Sequence, residues 1–209
     1  MSRPSPAGPA RARLALAALL LATAPACATG GRGGASFLPP SRPAEFSLGT
    51  IPWGASPDSV TSLIEPRGYN FNRVDADGDL WFDGVLYRAP TRVYAFMSEQ
   101  RFVKVRMFIT SADEDALTTY QTVRAELTKQ YGAPRETVEH FEAPHRKGDK
   151  KELDAIRAGK ADIRTHWVSA GGRTPHVAVQ VTEKLIVIVD YEGPAWERES
   201  LRRRRAAMR

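Results

Sequence analysis

The chain has 209 residues, 42% of them hydrophobic, which is enough for one domain or two small domains with a buried core. Its formal net charge of +6 comes from the two ends of the sequence, because residues 27–196 contain 21 basic and 22 acidic residues. A nucleic-acid-binding domain clusters Lys and Arg within its fold, so this balance argues against nucleic acid as a partner.

Residues 1–26 have the parts of a secretory signal peptide. Three arginines occur before residue 14, an apolar run extends from Leu14 to Ala24, and small residues follow it. The run is shorter than the roughly 20 residues that a membrane-spanning helix needs. The sequence therefore predicts an exported protein.

Cys27 is the only cysteine in the chain and directly follows Ala24-Pro25-Ala26, where a signal peptidase would cut. This junction resembles the lipobox of bacterial lipoproteins, in which the cysteine is acylated after cleavage. The lipobox usually has leucine at the position of Ala24, and Ala24-x-Ala26 also fits an ordinary signal that releases a soluble periplasmic or secreted protein. We predict acylation of Cys27, which would anchor the protein to a membrane of the cell envelope.

The rest of the chain divides into three parts. Residues 27–44 are rich in Gly and Pro and are predicted to form a flexible linker. Residues 45–192 are predicted to form the folded domain, in two halves at 45–110 and 111–192. Residues 193–209 form a basic tail, interpreted as a solvated end or a short polar helix, with attraction to anionic headgroups or to acidic polymers of the envelope as the alternative.

The first half is predicted to contain one helix and four strands. Ser56 caps the helix, and Val60, Leu63 and Ile64 share one of its faces. The strands are predicted at residues 69–74, 80–87, 91–97 and 102–109, with a turn at Asp75–Asp79 and a bulge or bend at Asp83-Gly84.

The second half repeats this order of elements. A long helix ends at Gly132, and its apolar residues recur every three or four positions from Leu117 to Tyr131. Strands follow at residues 137–141, 163–168, 176–182 and 185–191, with a charged insertion at 142–161. The recurrence predicts an α+β fold: an antiparallel sheet of about eight strands from two α-β4 repeats, with two helices packed on one face.

Two short motifs carry a resemblance to a known group of proteins. They are Trp53-Gly54-x-Ser56-Pro57-x-x-Val60 and Leu127-x-x-x-Tyr131-Gly132-x-Pro134. They resemble bacterial envelope proteins built on helix-plus-four-strand repeats, similar in architecture to β-lactamase inhibitory protein, over residues 46–192. The resemblance implies noncovalent binding of partners and supplies no catalytic residues, and the insertion at 142–161 departs from a clean repeat.

No motif in the chain predicts catalysis or a cofactor. Asp75-x-Asp77-x-Asp79 begins like a calcium loop, but Leu80 and Leu86 stand where that loop needs Gly and Glu, which favours a hairpin turn. The histidines lack the spacing of a zinc site, and the chain has no Gly-x-Ser-x-Gly elbow. We therefore predict no catalytic residue, no metal and no cofactor.

The strand aromatics offer a candidate binding surface. Most of them are expected in the core, but Trp81 and Trp167 could be exposed on the sheet face away from the helices. The sequence thus predicts a lipid-anchored envelope protein that acts as a noncovalent binding or assembly module for an unidentified envelope protein or ligand. The alternatives are an inhibitor of an envelope or extracellular enzyme, and a hydrolase with an unrecognised site.

Overall fold

The computed structural model describes residues 51–168 and 176–209, so the predicted signal peptide, Cys27 and the linker lie outside the described residues. The described part contains four α-helices: α1 (Pro57–Ile64), α2 (Ala116–Tyr131), α3 (Glu152–Arg157) and α4 (Trp196–Ala207). It also contains eight strands: β1 (Asn70–Val74), β2 (Leu80–Leu86), β3 (Ala89–Ser98), β4 (Arg101–Ile109), β5 (Glu136–Phe141), β6 (Ala161–Val168), β7 (His176–Val181) and β8 (Val187–Glu192).

The eight strands form one antiparallel sheet in the order β1-β2-β3-β4-β8-β7-β6-β5. The α+β class and the single eight-stranded antiparallel sheet are therefore confirmed. β4 and β8 meet in the middle of the sheet, although they are far apart in the sequence, and β1 and β5 form its edges. Among the described residues, no helix combines the length and apolar character needed to cross a bilayer.

The opening helix α1 begins where the sequence predicts it. The Ser56 hydroxyl accepts a hydrogen bond from the backbone N–H of Ser59 at 3.3 Å, which satisfies a donor that the first helical turn leaves unpaired. Val60 and Ile64 lie one turn apart and are fully buried. The cap and the apolar spacing thus determine both the start of α1 and the face that it buries.

Gly84 allows the ring of Tyr69 to pack closely against β2. β2 pairs with β3 in continuous register from Leu80 to Leu86, so of the bulge or bend predicted at Asp83-Gly84, the bulge does not occur in this pairing. A Cβ atom on Gly84 would lie 2.4 Å from Cδ1 of the buried Tyr69. Glycine is therefore required because the Tyr69 ring lies directly on the strand.

One hydrophobic cluster contains side chains of α1, α2 and alternate residues of the strands. Trp167, which is 1% exposed, belongs to it, and its indole N–H donates to the carbonyl of Gly132 at 3.0 Å. The prediction that Trp167 contributes to an exposed surface is therefore wrong. The physical reason is the strand period: Trp167 lies on the same face of β6 as the buried Ile163 and Thr165.

Replacing Trp167 by alanine is expected to lower the free energy of unfolding by about 3–5 kcal/mol, since it opens a cavity and leaves the Gly132 carbonyl without its donor. Urea unfolding followed by far-UV circular dichroism measures this loss. Val85→Ala is the control, because Val85 is 57% exposed, and it should change the same free energy by less than about 0.5 kcal/mol. Equal stability of the two variants would contradict the assignment of Trp167 to the core.

Candidate functional site

The strand residues that alternate with the core form the second face of the sheet, called the outer face below. The register aligns one residue from each of seven strands across it: Trp81, Tyr94, Arg106, Asp190, Ala178, His166 and Glu136. The row runs from an aromatic end on β2 and β3, through a charged centre on β4 and β8, to histidine and glutamate on β6 and β5. These three zones have different chemistry.

Trp81 is held in position by the turn between β1 and β2. Its indole N–H donates to the Asp75 carboxylate at 3.2 Å, the Tyr94 hydroxyl donates to the same carboxylate, and the Trp81 and Tyr94 ring centroids are 4.3 Å apart. Asp75 also accepts the backbone N–H groups of Asp77 and Asp79 at 2.9 and 3.0 Å, which confirms the predicted turn. Burial raises the pKa of Asp75, but these hydrogen bonds outweigh it and lower the pKa.

Two arginines flank the Trp81 ring. The guanidinium carbon of Arg73 lies 4.6 Å from the ring centroid and that of Arg92 lies 5.5 Å from it. Arg92 is also paired with Asp83 at 2.9 Å, and this hydrogen bond helps to lower the pKa of Asp83. The aromatic zone is therefore an indole surface bordered by cations that are partly desolvated by the ring.

A shallow depression adjoins Trp81 on the outer face. Its volume is about 360 Å³, and Trp81, Arg92, Phe108 and Ile186 contribute to its lining. These residues place a ring edge, a guanidinium group and apolar side chains around one concavity. Such a combination suits a large amphipathic side chain of a partner, which can bury its apolar part and hydrogen-bond with its polar end.

The centre of the outer face is a cluster of paired charges. Arg106 binds Asp190 through two hydrogen bonds of 2.8 Å, and the Lys104 ammonium lies 3.2 Å from Asp190 and 2.7 Å from Glu192. His176 Nε2 lies 3.0 Å from the other oxygen of Glu192. Burial raises the pKa of Glu192, but the hydrogen bonds from His176 and Lys104 outweigh it and lower the pKa. The charged groups of this cluster form ion pairs with one another, and these pairs join β4 to β8.

The histidines are distributed over separate contacts. His166 Nε2 lies 3.5 Å from Glu136, and His176 lies beside Glu192. His140 is exposed on the edge strand β5. Within residues 51–168 and 176–209, no group of three or more His, Cys, Asp or Glu side chains is placed to hold a metal ion.

α4 packs against one end of the outer face and extends its aromatic row. The Phe96 ring centroid lies 4.3 Å from that of Tyr94 and 5.0 Å from that of Trp196, the first residue of α4. The Lys104 ammonium, whose side chain is 3% exposed, lies 4.6 Å from the Trp196 ring centroid. The row of rings thus passes from Trp81 on β2 to the helix that follows β8.

Residues 193–209, predicted as a basic tail, contain α4 and are joined to the sheet by a buried ion pair. Arg203 binds both carboxylate oxygens of Asp79, which is fully buried, and also donates to the carbonyl of Met97 at 2.7 Å. Glu199, which is 2% exposed, accepts from Arg203 at 2.7 Å. The hydrogen bond to Asp79 raises the pKa of Arg203 above its ordinary value. These contacts bury the inner side of α4.

The sequence analysis identified Trp81 but missed the residues around it. Tyr94 and Arg92 could have been found from the strand period, because they alternate with the buried residues of β3 and so share a face with Trp81 across the hairpin. The position of Arg73 had no such signal, because the register between β1 and β2 shifts between Phe71 and Arg73.

Comparison of the chain with protein-family models, with curated proteins and with solved structures found no match. The resemblance to envelope proteins with helix-plus-four-strand repeats therefore stays a prediction based on two short motifs.

Acidification is expected to weaken the attachment of α4 through Glu199. Burial raises the pKa of Glu199, but hydrogen bonds from Arg202, Arg203 and Ser98 outweigh it and lower the pKa from 4.5 to about 2. Because the pKa of Glu199 is lower in the folded state than in the unfolded state, its ionised carboxylate stabilises the folded state at pH values above 4.5. This stabilisation, on the order of 3 kcal/mol, is lost as the pH falls from 4.5 towards 2. Thermal unfolding of the protein and of Glu199→Gln between pH 7 and 2 measures it.

The difference in stability between the protein and Glu199→Gln should narrow over this pH range. Glu126→Gln is the control, because the described ion pair of Glu126 is with Lys129 on the exposed side of α2, so this substitution should have a small effect at every pH. A difference for Glu199→Gln that stays constant from neutral pH to pH 2 would contradict the role of the Glu199 charge.

Proposed function

We propose that this chain is an exported cell-envelope protein, anchored to a membrane through acylated Cys27, that binds another envelope protein noncovalently through the aromatic zone of its outer face. The observation that carries the proposal is Trp81, oriented by Asp75 and Tyr94 and flanked by Arg73 and Arg92, beside a depression of about 360 Å³.

The export and the anchor are supported by the sequence that precedes the described residues. The arginines, the apolar run and the small residues before Cys27 have the order that a signal peptidase recognises. Acyl chains at Cys27 would hold the protein at a membrane, and the Gly- and Pro-rich residues up to 44 would let the domain reach a partner.

The composition of the aromatic zone supports protein binding. Trp, Tyr and Arg are the residue types that most often dominate the free energy of protein–protein binding. Trp81 is already oriented by its hydrogen bond to Asp75, so little side-chain entropy is lost when a partner covers it. Contact between a partner and the Trp81 ring would therefore favour binding, with only a small loss of side-chain entropy.

The proposed activity is binding without a catalytic step. The charged side chains at the centre of the outer face hydrogen-bond to one another, as in the Arg106–Asp190 pair, and so hold strands together. A general acid or base must instead have a hydrogen-bonding direction available to a substrate. The binding function uses the neighbouring aromatic zone, where Trp81 and Tyr94 are only partly buried.

We also infer that the sheet consists of two α-β4 units with their first helices, α1 and α2, on one face. The strand order supports this, because β1 to β4 and β5 to β8 each form four neighbouring strands and meet at β4 and β8. The participation of Val60 in α1 and Leu127 in α2 in one buried cluster supports the placement of both helices. In this arrangement α1 and α2 lie away from the aromatic zone, which is on the outer face.

The binding proposal predicts that Trp81→Ala weakens capture of a partner by about tenfold or more, because a truncated interface Trp commonly costs over 1 kcal/mol. Immobilised protein and Trp81→Ala are incubated with envelope extract, and the bound proteins are quantified by mass spectrometry. The strongest captured protein is then purified, and its Kd is measured for both forms.

Two further variants make this experiment specific. Val74→Ala also removes an exposed apolar side chain, since Val74 is 54% exposed, but it lies on the core side of β1 and should bind normally. Arg73→Gln removes a cation over the ring without altering the hydrogen bond between Trp81 and Asp75, and it should weaken binding. Equal Kd values for all forms would refute the proposal, and an assay of the captured partner's activity distinguishes inhibition from assembly.

The anchor predicts a modified amino terminus. Mass spectrometry of the protein purified from bacterial membranes should find a chain that starts at Cys27 and carries acyl groups, and the Cys27→Ser protein should carry no acyl group. An unmodified Cys27, or a chain that starts at another residue, would contradict the anchor and favour a soluble exported protein.

A further inference from the structure

We propose that the outward side of α4 docks on the surface of a bilayer that contains anionic phospholipids. The surface is formed by Arg198, Arg202, Arg205 and Arg209, here called the basic stripe, together with the neighbouring Leu201 and Met208. This inference concerns a different surface from the aromatic zone and does not depend on a partner protein.

The direction in which α4 faces follows from its buried contacts. Trp196, Glu199 and Arg203 contact the sheet and lie three and four residues apart, so they mark the inner side of the helix. Arg198, Arg202 and Arg205 of the basic stripe also recur at intervals of three and four, but on another side of the helix, and Arg209 follows just after its end. The ion pair between Arg203 and Asp79 prevents α4 from turning about its axis, so the stripe has a constant orientation.

The charges of this side are not compensated within the described residues. Arg198, Arg205 and Arg209 have no carboxylate within ion-pair distance in residues 51–168 and 176–209, and neither does Arg204 at the border of the stripe. Arg202 pairs with Glu199, whose charge is shared with Arg203. The basic stripe therefore presents an excess of positive charge.

A groove runs beside the basic stripe, between α4 and the turn that joins β3 to β4. Its volume is about 620 Å³, and all four arginines of the stripe line it. Arginine binds phosphate through paired hydrogen bonds of its planar guanidinium group. Several phosphate-bearing headgroups would satisfy these donors together, which a single small anion could not do.

The apolar neighbours favour a bilayer over a soluble polyanion. Leu201 is 46% exposed and Met208 is 85% exposed, and both lie beside the arginines of the stripe. Exposed apolar side chains among cations are typical of helices that lie in a membrane interface, where the cations reach phosphates and the apolar groups enter the acyl boundary. A soluble polyanion would leave Leu201 and Met208 in water.

The test measures binding to vesicles by co-sedimentation, with the full chain carrying Cys27→Ser so that no acyl chain contributes. Vesicles of phosphatidylglycerol and phosphatidylcholine are compared with vesicles of phosphatidylcholine alone. The triple variant Arg198→Gln, Arg205→Gln, Arg209→Gln should bind the anionic vesicles on the order of a hundredfold more weakly, since each basic residue near an anionic surface contributes about fivefold. The control is Arg146→Gln, Lys150→Gln, Lys151→Gln, which removes the same charge from exposed positions of the 142–161 segment and should bind normally.

A second variant separates the bilayer from other phosphate sources. Leu201→Ser, Met208→Ser should weaken binding to anionic vesicles while leaving binding to soluble polyphosphate unchanged. The proposal would be overturned if the triple arginine variant and its control lost vesicle binding equally, or if neither lost it. Unchanged binding of the Leu201→Ser, Met208→Ser protein to anionic vesicles would also overturn it. Failure here would leave Cys27 acylation and the Kd for a partner measurable, so the two proposals can fail separately.

Discussion

The pairing of β4 with β8 is the contact on which the sheet depends. The two strands are paired over six residue positions, and they join β1–β4 to β5–β8 in one sheet. On the core side, Val105, Met107 and Val189 are fully buried, so this pairing excludes water from the middle of the core. On the outer side, Arg106 and Asp190 form a bidentate ion pair between the same strands. Apolar burial and paired charges therefore act on opposite faces of one junction.

Local features of the fold could be predicted from the sequence, because their causes lie within a few residues. Ser56 caps α1 through a residue three positions later, and the turn at Asp75–Asp79 closes on itself. The strand period also predicts which residues share a face. Applied to β6, the strand period places Trp167 with Ile163 in the core. The wrong prediction for Trp167 came from treating it as equivalent to Trp81.

The contacts that dock α4 on the sheet and join β4 to β8 are nonlocal, and no local pattern predicts them. Asp79 and Arg203 are 124 residues apart, and Lys104 and Glu192 are 88 residues apart. The composition of residues 193–209 indicates only a charged helix, because the sequence does not show which of its six arginines contacts a buried carboxylate. Arg203 differs from the other arginines because it lies beside Asp79. The path of the chain after β8 brings it to that position. Fold class therefore followed from the sequence, whereas the docking of α4 required the structure.

The turn between β1 and β2 connects two surfaces that are separate in the sequence. Asp75 at its start holds the Trp81 indole, and Asp79 at its end holds Arg203 of α4. The five residues of this turn thus hold both the aromatic zone and α4 in position. If binding at one surface changes the affinity of the other through this turn, binding at the second changes the affinity of the first by the same factor, because coupling between two sites is reciprocal.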